Sequence, residues 1–274
     1  MKSKFNIALL IPTRGRTQAL EKAVKSAVEL AAEPTKLQLL FAFDNDDEVG
    51  VPYFTDVIQP WLDERDVEYT ALSFDKLGYQ GLNIYYNQLS KQADAEWMMC
   101  WSDDSIIDTQ DWDQVIMSYT GQFKLLKTHT HNEHPYSIFP IWPREWYDLF
   151  GWVSRHQMVD AELSQMAYML DLIQIIDVNV IHDRADLTKN NNDETQKSKI
   201  VFEGNPSNPH DFHNPAFSRA RMADCEKISE YLRSKGHDMT WWENVKTGAQ
   251  DPWEKLKAND INQQMVQFKL KAQQ

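Results

Sequence analysis

Residues 5–16 read Phe5-Asn6-Ile7-Ala8-Leu9-Leu10-Ile11-Pro12-Thr13-Arg14-Gly15-Arg16, an apolar run that stops at a proline and two arginines. A strand covered on both faces by other elements has this character. Residues 18–32 then carry Leu20, Val24, Ala27, Val28 and Ala31 at helical spacing, with Thr17 as a candidate cap and Pro34 as the stop. A second apolar run, 37–43, ends in Asp44-Asn45-Asp46-Asp47-Glu48, and Pro52 opens a helical stretch to about residue 62. Residues 67–74 form a third strand pattern and 82–93 a helix. Trp97-Met98-Met99-Cys100-Trp101 is a fourth strand, ending in Ser102-Asp103-Asp104-Ser105. Strand and helix alternate throughout, so the expected class is α/β, with a central, mostly parallel sheet flanked by helices.

The pattern loosens beyond Asp111. Residues 109–120 read as helix, 123–128 and 137–142 as strands, and Pro143 starts a helix through Phe150. Residues 159–170 give a further helix, and 172–181 a strand followed by His182-Asp183-Arg184. The polar stretch 188–198, with three consecutive asparagines, reads as a loop. Asn214 (cap), Pro215 (first turn) and Gly236 (beyond the end) bracket another helix, and a last helix follows Trp241. This divides the chain into a body, 1–196, and a helical C-terminal extension, 197–274.

Charge follows that division. The body carries 31 acidic and 16 basic side chains, the extension 10 and 12, for a net −13. An acidic body disfavours generic nucleic-acid binding, which needs a basic face, without forbidding a local groove. No apolar run approaches the roughly 20 residues that span a bilayer, so no transmembrane helix is expected. Two cysteines, Cys100 and Cys225, cannot build a disulfide framework; they fit a reducing, cytoplasmic compartment.

In open α/β sheets, ligands bind beyond the carboxyl ends of the strands. Here those ends carry Arg14 and Arg16, then Asp44 to Asp47, then Asp103 and Asp104. Carboxylates crowded together repel unless a cation neutralises them. A hard divalent ion held by one or two carboxylates and by substrate phosphates is the usual resolution. The same acids also suit turns and helix caps, because Asp and Asn bond their own backbone. His129, His131 and His134 lack a cysteine partner and are not read as a zinc site.

As an ordered set, residues 7–16, 39–47, 81–87 and 97–104 resemble the family 2-like glycosyltransferases of the GT-A fold, the nucleotide-diphospho-sugar transferase architecture, over roughly residues 5–185. The resemblance implies that Pro12 and Thr13 line the nucleoside, and that Asp44, with Asp46 as competitor, meets the base edge of a uridine donor. It places Ser102-Asp103-Asp104 on the family's Asp-X-Asp position. Asp104 then becomes the direct ligand of Mn2+ or Mg2+, and Asp103 a ribose or metal contact. Asp160, with Glu162 second, matches the catalytic base of inverting members, and His182 matches a further metal ligand in some enzymes. Arg14, Arg16 or Arg184 would add charge near the phosphates, and the 188–198 loop would close over the donor.

The implied activity is metal-dependent sugar transfer from a nucleoside diphosphate, UDP foremost, to a hydroxyl acceptor such as a glycan or a hydroxymethylated base of phage DNA. Trp241, Trp242 and Trp253 mark the extension as a candidate acceptor arm, since aromatics stack on sugars and bases alike. Packing of these tryptophans onto the body is the competing reading. Two rival functions remain at this stage: a silent sugar-nucleotide binding module, and a nucleotidyltransferase, although only Gly15 stands where a glycine-rich phosphate loop would be expected.

Overall fold

A computed structural model of the chain describes residues 3–130, 134–183 and 212–254. The 188–198 loop, Arg184 and His131 lie outside the described residues. Strand β1 (Phe5–Thr13) leads through α1 (Thr17–Glu29) to β2 (Leu37–Asp44). Helix α2 (Gly50–Tyr53) continues through a π-helical turn (Phe54–Ile58) into α3 (Gln59–Asp63), followed by β3 (Glu68–Phe74), α4 (Leu82–Gln92) and β4 (Ala95–Cys100). Then come β5 (Ser105–Ile107), α5 (Trp112–Met117), β6 (Leu125–Thr130), β7 (Ile141–Pro143), α6 (Arg144–Phe150), α7 (Val159–Met169) and β8 (Ile173–His182). Helices α8 (Pro215–Ser234) and α9 (Thr240–Thr247) complete the described chain.

The strands form one eight-stranded sheet in the order β3-β2-β1-β4-β7-β6-β8-β5. The first four are mutually parallel; β7 is antiparallel to both β4 and β6, and β5 is antiparallel to β8. The chain runs outward from β1 to β3, then returns to place β4 on the other side of β1. That reversal is a topological switch point, where a crevice opens beyond the strand ends.

The buried runs are explained by two cores, one on each face. Along β1, Ile7, Leu9 and Ile11 join Val24, Leu62 and Trp112 on one side, while Ala8 and Leu10 join Tyr86, Trp146 and Met166 on the other. Alternate side chains of a strand point to opposite faces, so a strand covered on both must be apolar at every position. Helix α8 belongs to the second core through Cys225, Ile228 and Leu232, and α9 through Trp242, whose indole N–H donates to Glu226 at 2.7 Å. Asn214 caps α8 by accepting from the Ala216 amide at 2.9 Å, as its place before Pro215 foretold.

Three elements depart from the sequence reading. The helix anticipated at Pro52 begins two residues earlier, because Asp47 Oδ1 accepts from the Gly50 amide at 2.8 Å; a Cβ on Gly50 would lie 2.1 Å from that carboxylate. The strand expected over 137–142 is instead the short Ile141–Pro143, which begins just after Pro140, a residue with no N–H to give a ladder. Strand β5, too short to show a period, was not anticipated. Among the described residues no helix is long and apolar enough to cross a membrane.

Trp242→Ala should lower the unfolding free energy by about 3–5 kcal/mol, the usual cost of deleting a buried indole. Urea denaturation followed by circular dichroism measures this. A change below about 1 kcal/mol would mean that α9 is not packed as described.

Candidate active site

The carboxyl ends of β1, β2 and β4 deliver the acidic and basic residues singled out in the sequence to one rim. Gly15 takes a left-handed φ of 68° just after β1, a conformation that favours glycine, and so turns Arg14 and Arg16 to either side. Arg14 reaches β2: its Nη1 donates to Asp44 Oδ2 at 3.0 Å, and its guanidinium also clasps Asp46. The hydrogen bond to Asp46 and both neighbouring carboxylates push the Arg14 pKa up, against the opposing effect of burial. Asp46 is held below the ordinary carboxylate range by the same guanidinium. Asp47 is turned inward, accepting from the amides of Gly15 (2.9 Å) and Gly50; it is a cap that joins two loops.

Asp44 is 5% exposed and has a second anchor that the sequence reading missed. The Tyr85 hydroxyl donates to Asp44 Oδ1 and accepts from the Leu77 amide at 3.0 Å. Burial, then the Asp44 hydrogen bond, push the Tyr85 phenol up to about 12, so it remains a donor across the physiological range. Pro12, in register with Ala42 of β2, is half-buried beside this cluster.

The other half of the rim gathers around β4. Thr13 Oγ1 donates to Asp103 Oδ2 at 2.8 Å, lacing the end of β1 to the end of β4. Arg16 Nη1 donates to Asp104 Oδ2 at 2.9 Å, and its Nη2 lies 3.2 Å from Asp103 Oδ1. The remaining Asp104 oxygen, Oδ1, accepts from Ser102 Oγ at 2.5 Å and lies 3.3 Å from His182 Nε2. Ser102 therefore orients the Asp104 carboxylate. His182 arrives through β5: Ser105 is in register with His182 of β8, and the Asp183 amide donates to the Asp104 carbonyl at 2.7 Å. Burial alone would push the Asp104 carboxyl up, but His182, Arg16 and Ser102 together hold it far below the ordinary range.

These groups suit a divalent ion of the magnesium type. The oxygen Asp104 Oδ1 and the nitrogen His182 Nε2, now in direct contact at 3.3 Å, are two of the donors that an ion shared with substrate phosphates needs. Among the described residues no group of three or more His, Cys, Asp or Glu side chains is arranged to hold a metal ion by itself.

Helix α7 separates its two acids. Asp160, on its second residue, is partly exposed and close to the end of β4. Burial raises the pKa of Tyr86, and the charges of Cys100, Asp160, Asp103 and Asp104 add to that effect. Cys100 responds to Asp160 in the same way. Glu162 instead is fully buried, and accepts from Ser154 Oγ and from the amides of Arg155 (2.8 Å) and His156 (3.2 Å). Burial pushes its pKa up despite those bonds. The sequence reading put Glu162 second to Asp160 as a base; the structure makes it the brace of the 154–156 loop. Arg155 extends that loop to α8 through a two-point pair with Asp224 at 3.0 and 3.1 Å. Of the tryptophans proposed for acceptor binding, Trp242 is wholly buried, while Trp241 and Trp253 are partly exposed. His129 pairs with Asp177 at 3.7 Å, away from His134, which stacks near Tyr136.

The rim, the switch point and the sheet order together define the nucleotide-diphospho-sugar transferase, or GT-A, architecture. The chain is similar in structure to the mannosyltransferase PcManGT of Pyrobaculum calidifontis in complex with GDP-Man and Mn2+, with a TM-score of 0.52 and 11% identity, over 97% of this chain and 88% of that one. It is similar to S. aureus TarS 1–349 in complex with UDP (TM-score 0.51, 10% identity, 73% of this chain and 70% of that one). The same S. aureus protein with UDP-GlcNAc gives a TM-score of 0.50 at 9% identity, over 73% of this chain and 71% of that one. No protein-family model matches the sequence, and no curated protein matches it.

Removing the Glu162 carboxylate strands two amides and a hydroxyl. Glu162→Ala should therefore cost about 2–4 kcal/mol of stability, whereas Asp160→Ala should cost less than about 1 kcal/mol. Chemical denaturation of the two variants side by side checks the contrast. Equal losses would contradict the separate placements described for them.

Proposed function

We propose that this chain is a glycosyltransferase that moves a sugar from a nucleoside diphosphate donor, UDP foremost, to a hydroxyl acceptor with inversion at the anomeric carbon. One observation carries the reading. Asp44 with Arg14, and Asp104 with Arg16 and His182, occupy neighbouring strand ends at the switch point of a GT-A sheet.

In this reading Pro12 and Thr13 line the nucleoside, and Asp44 accepts from the base edge while Tyr85 and Arg14 hold its carboxylate in place. Asp46 keeps Arg14 at the rim, and Asp103 braces the strand ends through Thr13. Arg14 and Arg16 present guanidinium forks, which match diphosphate oxygens in charge and geometry. Mn2+ or Mg2+, held by Asp104 and His182, would neutralise charge on the departing diphosphate. Asp160 accepts the acceptor hydroxyl's proton as the acceptor oxygen bonds to the anomeric carbon and the bond from that carbon to the diphosphate breaks. Asp160 suits this role because it is partly exposed at the start of α7, whereas Glu162 has no exposed surface. The acceptor is a hydroxyl compound, such as a glycan or a hydroxymethylated base of phage DNA. Affinity for DNA would fall steeply with added salt, and affinity for a neutral glycan would not.

The experiment is a thermal-shift screen of nucleotide sugars with and without Mn2+, followed by turnover assays. A specific donor should raise the melting temperature by mass action, most strongly with the metal present. Asp160→Asn should keep that shift and lose about 10²–10⁴-fold in turnover, while Asp104→Ala should lose the metal-dependent part of the shift as well. Retained turnover in Asp160→Asn would sink the assignment of the base. Synthesis of a nucleotide sugar from a sugar 1-phosphate and a nucleoside triphosphate would point to nucleotidyl transfer instead.

A further inference from the structure

The charge balance around Asp104 gives Arg16 a role beyond contacting phosphate. Arg16 caps the start of α1, and its carbonyl accepts from the Leu20 amide at 2.9 Å, so its backbone is fixed. Its side chain, 30% exposed, spans the two adjacent carboxylates of β4, at 2.9 Å from Asp104 and 3.2 Å from Asp103. The Asp104 carboxylate is thereby divided: Oδ2 faces the guanidinium, and Oδ1 faces Ser102 and His182. A divalent ion on Oδ1 and His182 would bind a carboxylate whose charge is already offset, a few ångströms from the Arg16 guanidinium. Like charges at that range oppose each other strongly when partly shielded from water.

A diphosphate changes this balance. It offers the guanidinium oxygens of matching geometry and higher charge, and Arg16 at 30% exposure has room to reorient toward them. Building on the donor-binding reading above, we propose that Arg16 makes divalent-ion binding conditional on the nucleotide. Without diphosphate, Arg16 neutralises Asp103 and Asp104 and keeps the ion weakly held. With diphosphate bound, the fork moves to phosphate oxygens and the Asp104 carboxylate is released to the ion. Coupling of this kind is reciprocal: the nucleotide tightens the ion by the same factor as the ion tightens the nucleotide.

The test measures free Mn2+ by electron paramagnetic resonance in titrations of the full chain, with and without UDP, in wild type, Arg16→Gln and Arg16→Lys. Circular dichroism melts confirm that each variant is folded. Without UDP, Arg16→Gln should bind Mn2+ about tenfold tighter than wild type, within the usual range for coupled sites. The tightening of Mn2+ by UDP should shrink by a similar factor. Arg16→Lys, which keeps the charge, should stay within about threefold of wild type. Unchanged or weaker Mn2+ binding by folded Arg16→Gln overturns the inference, as does a lysine variant that tightens as much as the glutamine one. If wild type binds UDP together with Mn2+ and only the Arg16→Gln result fails, the donor-binding reading survives. If wild type binds no UDP at any Mn2+ concentration, that reading falls first.

Discussion

Two neighbouring aspartates on the end of a buried strand must have their charge answered, and the rim is arranged around that need. Asp103 is fully buried and Asp104 nearly so. A carboxylate in such a place is tolerated only when paired and hydrogen-bonded. Thr13 comes from β1, Arg16 from the start of α1, Ser102 from the turn after β4 and His182 from β8, so charge neutralisation draws four segments to one point. Against the opposing effect of burial, the charges of His182 and Arg16 and the Ser102 hydrogen bond lower the Asp104 pKa.

The second half of the site depends on hydrogen bonds to a loop. Asn87 in α4 accepts from the amides of Val153 and Ser154, and Glu162 in α7 accepts from those of Arg155 and His156. Asp224 in α8 then holds the Arg155 side chain. Three helices thus fix the segment that leads into α7 and set where Asp160 stands relative to β4. The C-terminal helices consequently bear on the candidate base through packing, whatever they contribute to the acceptor.

How much of this could be read in advance depended on whether a signal was local. Strands β1, β2 and β4 are apolar at nearly every position because both sheet faces are covered, and their ends stand out because Arg14, Asp44 and Asp103 interrupt that pattern. Asp104 and Arg16 were therefore visible as candidates, but their pairing was not, since it joins residues 88 positions apart. Tyr85 looked like one more apolar helix position until its hydroxyl proved to hold Asp44. Strand β5, three residues long, has no readable period, yet its register is what brings His182 to Asp104. Asp160 and Glu162 both stand in the first turn of α7, and the resemblance ranked Asp160 ahead of Glu162. Which of them turns inward is decided by the loop amides that Glu162 satisfies, and no local pattern carries that.

The most direct measurement is an anomalous difference map from crystals grown with UDP and Mn2+. The account expects a manganese peak bonded to Asp104, with the diphosphate beside it and the uracil against Asp44. A nucleotide bound away from the β1–β4 crevice, or a peak with no contact to Asp104, would contradict it.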